Sequence, residues 1–114
     1  MRIGSSSSVR VFYPRYDRKG LIALLNARLG FLSAQIPLRR VVLFGSWAKG
    51  KATVFSDVDL MVIYADPPRE DAYQLVRCCL GIRGLEPHVY SEHQAGPLKE
   101  TLDRMTKDGV VFMG

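Results

Sequence analysis

Asp57 and Asp59 stand one residue apart where an apolar run, Leu60 to Ile63, begins, and a Gly45–Ser46 pair closes an earlier apolar run, Val41 to Phe44. Ten residues, 47–56, separate the two features. Side chains alternate faces along a strand, so a strand over 57–64 presents both carboxylates to one side. Neighbouring carboxylates repel each other unless a cation lies between them. Mg²⁺ suits that place, because it is bound through one or two carboxylates together with substrate phosphates. The Gly45–Ser46 turn leads into a predicted helical turn over 47–51, and exposed N–H groups at such a start attract phosphate. A Gly-Ser pair alone is an ordinary turn, and an Asp-x-Asp alone is an ordinary polar strand entrance. Their combination, with a strand on either side, points to nucleoside triphosphate chemistry.

These residues need elements to hold them. The spacing predicts a helix over 17–34, capped by Asp17, with Leu21, Leu24, Leu25, Ala27, Leu29 and Leu32 as its apolar face. A first strand is predicted over 39–44 and a second over 57–64, whose β-branched content argues for burial. Asp66-Pro67-Pro68 breaks the chain, and a second helix follows over 69–80, with Ala72, Leu75, Val76, Cys79 and Leu80 inward. A third strand is predicted over 85–90. Pro87 cannot donate to a sheet ladder, which places that strand at an edge. A last helix over 97–106 and a short terminal strand over 110–113 complete the chain. Helices alternating with strands define an α/β (α+β) class, a small mixed sheet flanked by helices with an αβαβαβ core.

With these elements in place, the chain resembles the minimal nucleotidyltransferases, a branch of the DNA polymerase beta-like nucleotidyltransferase superfamily. The resemblance is carried by Leu43-Phe44-Gly45-Ser46, Ala48-Lys49-Gly50, Ser56-Asp57-Val58-Asp59-Leu60 and Leu85-Glu86-Pro87-His88-Val89-Tyr90. It implies a nucleotidyltransferase fold and transfer of a nucleoside monophosphate from ATP or another triphosphate, with pyrophosphate leaving. It implies that Asp57, Asp59 and Glu86 are catalytic and hold Mg²⁺, two ions about 3.5–4 Å apart serving the attacking and leaving oxygens. It implies that Gly45, Ser46 and Lys49 bind the nucleotide. Glu86 stands where the family often has Asp. His88, two residues on, shares the face of Glu86 but reads as a polar strand residue, and Trp47 reads as a core anchor.

The chain has 114 residues, room for one domain, taken as 10–114 after a flexible segment 1–9 that contains the serine run Ser5 to Ser8. Its 47% hydrophobic and 24% charged residues are those of an ordinary globular protein, and no apolar run approaches the length of a membrane span. The adjacent Cys78 and Cys79 have neither metal-ligand nor disulfide-framework spacing, so reduced thiols and a cytoplasmic protein are expected. The net charge of +5 gathers in the first half, at Arg10, Arg15, Arg18, Lys19, Arg28, Arg39, Arg40, Lys49 and Lys51. That balance favours a triphosphate or nucleic-acid partner, although ordinary solubilising charge explains it equally well. Larger relatives hold the acceptor with extra domains for which this length leaves no room. The resemblance therefore implies an external acceptor, namely a small helical HEPN-type toxin that the protein, as antitoxin, adenylylates. Two alternatives stand beside this: a binding module that neutralises a partner by contact alone, and a transferase acting on nucleic-acid ends.

Overall fold

The computed structural model describes residues 17–53 and 56–114, and in it the Asp17 carboxylate accepts from Gly20 N at 2.7 Å and caps helix α1, Arg18–Ser33. Such a cap contributes about 1 kcal/mol. Segment 1–9, Arg10 and Arg15 lie outside the described residues. Leu21, Leu25, Leu29 and Leu32 form the buried stripe of α1, Leu24 packs at its margin, and Ala27 is exposed rather than inward. The side chain of Arg28 donates to the carbonyls of Leu80 and Gly81, satisfying the end of the second long helix.

The strands are β1 (Leu38–Phe44), β2 (Val58–Tyr64), β3 (Leu85–Ser91) and β4 (Val110–Met113). They form one sheet in the order β3-β2-β1-β4. β1 is antiparallel to both β2 and β4, and β2 is parallel to β3. The sheet is therefore mixed, and β3 lies at an edge as its proline requires. Helix α2, Ala72–Leu80, makes the crossover between the parallel pair. One face of the sheet, with Val41, Leu43, Leu60, Val62 and Leu85, packs against α1 and α2 as the main core. The other face buries Val42 and Met61 with Ala95 and Leu102, and Phe44, Ile63, Tyr90 and Met105 close around them.

Three predicted elements differ in extent. Residues 47–51 hold hydrogen-bonded turns rather than a helix: Lys49 N donates to Gly45 O, and Lys51 N to Ser46 O. α2 starts at Ala72 instead of residue 69; ahead of it Arg69 N donates to the Tyr64 hydroxyl at 2.8 Å, and the Arg69 guanidinium pairs with Asp71. The last helical region starts early and is broken. Ser91 and Gln94 form a capping box that opens α3, Glu92–Ala95, directly after β3. Gly96 and Pro97 then pass through a 3₁₀ turn into α4, Lys99–Met105.

Candidate active site

Two of the three candidate carboxylates stand side by side where β1, β2 and β3 meet. Phe44 is opposite Asp59, and Asp59 is opposite Glu86, so the three form one row across three strands. Registered partners project to the same face of a sheet. That face is the one away from α1 and α2. Its apolar floor, built on Val42 and Met61, leaves the row half-open at its end.

Gly45 follows β1 with a φ of 78°, a conformation that side chains with a Cβ rarely adopt. A Cβ placed there would stand 2.5 Å from Asp59 Oδ2. The glycine thus serves two ends, turning the chain and letting the Asp59 carboxylate lie against the backbone of the Gly-Ser turn. The turn itself is anchored from two sides. Arg18 of α1 donates to Ala48 O at 3.2 Å through Nη2. Trp47 is buried in the main core, and its indole N–H reaches Ser56 O at 3.5 Å. Ser46 and Lys49 are exposed at the turn.

Asp57 lies one residue ahead of β2 and is exposed. Strand pleating therefore does not fix its direction, but its charge is felt at Asp59. Burial raises the Asp59 carboxyl above its ordinary range, and the charges of Asp57 and Glu86 push in the same direction against a lowering influence of His88. Glu86 is exposed on the edge strand. His88 sits between the functional row and the floor, its Nε2 3.7 Å from Asp59 Oδ1 and its ring 5.1 Å from the ring of Phe44.

Among the described residues no three histidine, cysteine, aspartate or glutamate side chains are gathered closely enough to hold a metal ion by themselves. The donor set still fits a hard divalent cation. Mg²⁺ takes one or two carboxylates and draws its remaining oxygens from phosphate and water. The absence of a side chain at Gly45 lets Asp59 Oδ2 reach the Gly-Ser turn, and a cation at Asp59 would remove the cost of ionising a half-buried carboxylate beside two others.

That cost predicts a pH dependence. The folded state takes up a proton at Asp59 before the unfolded chain does, so this carboxyl adds stability as pH falls through its raised pKa towards the ordinary value, and detracts from it above. Asp71, held low by Arg69, and Asp103, held low by Arg40 and Lys99, act in the opposite sense in both proteins of a comparison. Asp59→Asn should therefore melt no lower than the parent at neutral pH in chelator, and its advantage should shrink on acidification. A melting temperature several degrees below the parent at neutral pH would contradict this.

The structure sets Asp59 against Gly45 and opposite Glu86, and the charge of Asp57 is felt at Asp59. His88 reads from the sequence as a polar strand residue on the face of Glu86, and its approach to Asp59 comes from the pairing of β2 with β3. Arg18 carries no local signal, since its partner Ala48 is 30 positions away. Among the described residues no helix is long and apolar enough to cross a membrane.

Residues 26–109 match the profile of the nucleotidyltransferase domain family. Among solved structures, a candidate nucleotidyltransferase from Sulfolobus solfataricus superposes with a TM-score of 0.55 at 21% identity, covering 83% of this chain and 81% of the other. A mutant of the toxin–antitoxin MntA–HpeT superposes with a TM-score of 0.50 at 18% identity, covering 87% of this chain and 74% of the other. At these identities the likenesses are of fold. No curated protein matches this chain by sequence.

Proposed function

Since this chain belongs to the nucleotidyltransferase domain family, we propose that it transfers a nucleoside monophosphate, AMP from ATP, to a hydroxyl of a protein partner, with Mg²⁺ as cofactor. The observation that carries the proposal is the row of Asp59 and Glu86 closed by Gly45 at the Gly-Ser turn. It places hard anionic donors directly beside a turn suited to phosphate.

In the reaction a hydroxyl oxygen bonds to the α-phosphorus, the bond from that phosphorus to the α,β-bridging oxygen breaks, and pyrophosphate leaves with the electron pair. Such transfers depend mainly on positioning and on stabilising charge at the phosphoryl oxygens. The Gly45–Ser46 turn, with Lys49 beside it, receives the triphosphate. Asp57 and Asp59 would hold the metal, with Glu86 completing the site of the nucleophile. When bound, the metal neutralises charge building on the phosphoryl oxygens. Glu86, exposed on an edge strand, can be reached by an acceptor from solvent and accepts the proton of the attacking hydroxyl.

The neighbour MntA–HpeT is a toxin–antitoxin protein, which supports a protein partner; that the partner is a small helical HEPN-type toxin, with this chain as the antitoxin, rests on the resemblance of the sequence motifs to the minimal nucleotidyltransferases. The reading takes residues 10–114 as one catalytic domain. The free thiols of Cys78 and Cys79 suit a reducing compartment such as the cytoplasm. Incubation of the protein with ATP, Mg²⁺ and its helical partner, followed by intact-mass spectrometry, tests the proposal. The partner should gain the mass of adenylyl groups on a hydroxyl residue. Neutralisation of the partner with no added mass would point instead to a module acting by contact, and nucleotide added to single-stranded nucleic acid ends would point to the third reading.

A further inference from the structure

We infer that His88 is a positioning residue for Asp59, an inference that rests on the nucleotidyltransferase reading of the site. The two oxygens of Asp59 meet different neighbours. Oδ2 lies against Gly45, in the space that a Cβ would fill, and so faces the phosphate turn. Oδ1 faces His88 Nε2 at 3.7 Å. A carboxylate can rotate about its Cβ–Cγ bond at little cost, so contacts at both oxygens are needed to fix its plane. The separation at Oδ1 exceeds a direct hydrogen bond, and such contacts commonly shorten once substrate is bound.

His88 is itself held. It projects from β3 one step beyond Glu86 on the same face, opposite Met61, a fully buried floor residue. Its ring lies against Phe44, which is the β1 partner of Asp59. His88 thus lies beside both the Asp59 carboxylate and Phe44, the residue opposite Asp59 on β1. A strand residue serving only the sheet would need no such double relation to one carboxylate. Partners that orient a ligating group commonly alter metal affinity about 10- to 100-fold when removed.

The test uses the full chain, with Mn²⁺ as a paramagnetic stand-in and the non-hydrolysable α,β-methylene analogue of ATP. His88→Leu keeps apolar bulk against Phe44 and removes the donor, whereas His88→Gln restores an N–H near the position of Nε2. Electron paramagnetic resonance should show Mn²⁺ affinity falling about 10- to 100-fold in His88→Leu and largely recovered in His88→Gln, with both variants melting near the parent. Equal affinity in His88→Leu and the parent would overturn the proposal. So would an equal loss in both variants accompanied by lower melting, which would make His88 a packing residue. If the parent binds Mn²⁺ with the analogue no better than Asp57→Asn/Asp59→Asn does, the site reading itself fails and this inference falls with it. An intact parent site beside an indifferent His88→Leu defeats the inference alone.

Discussion

Asp57→Asn/Asp59→Asn should lose nucleotidyl transfer by about a thousandfold or more, with the fold intact. Loss of one preorganised electrostatic partner of a phosphoryl or acyl oxygen commonly costs about 10²–10³ in rate, and this variant removes two carboxylates that would hold the metal. The fold should survive because neither side chain belongs to a core cluster: Asp57 is exposed and Asp59 is half-buried. Asp59 is moreover a group whose charge the folded state disfavours in the absence of metal. Transfer measured with labelled ATP, beside circular dichroism and thermal melting, checks both parts. Activity within tenfold of the parent would remove the carboxylate pair from the chemistry. Loss of activity together with loss of fold would show that the pair is structural.

Gly45→Ala should be damaging in a way that Gly50→Ala is not, although both glycines have positive φ, at 78° and 72°. A residue with a Cβ in the left-handed region costs about 1–2 kcal/mol, and each kcal/mol lowers the melting temperature of a small domain by about 4–8 °C. Both variants should show that loss. The difference lies in what the new methyl group meets. At Gly50 it meets nothing within 4 Å, whereas at Gly45 it would stand 2.5 Å from Asp59 Oδ2. The carboxylate must then move, and displacing a reacting group by about 1 Å can cost about a hundredfold in rate. Gly45→Ala should therefore lose transfer by roughly that factor, while Gly50→Ala keeps most of its activity at a similar melting temperature. Equal activities in the two variants would show that Gly45 serves the turn alone.

The elements that were legible in the sequence owe their form to local rules. Asp17 before a leucine stripe of helical period, Pro87 confining β3 to an edge and the β-branched run of β2 each act through neighbours in the chain, and the structure bears out all three. The family is legible for a related reason: a phosphate turn and a carboxylate pair require particular residue types at short spacing, and residues 26–109 match the nucleotidyltransferase domain profile accordingly. Element boundaries were less legible where a side chain competes for a backbone group. Arg69 N is bonded to the Tyr64 hydroxyl ahead of α2, and the Ser91–Gln94 box starts α3 before Gly96 and Pro97 interrupt it.

Periodicity and motif spacing, which are properties of neighbouring residues, already carry the alternation of helices and strands and the membership of the nucleotidyltransferase domain family. Which of the motif residues meet is set by the packing of the sheet. The parallel register of β2 and β3 sets Glu86 beside Asp59 across 27 positions of sequence, and the antiparallel register of β1 and β2 sets Phe44 there across 15. It turned His88 from a strand residue into a neighbour of Asp59, and Arg18 from one cation among many into an anchor of the Gly-Ser turn. Register and crossover are chosen by the burial of two sheet faces at once, a global condition that no short window of sequence contains.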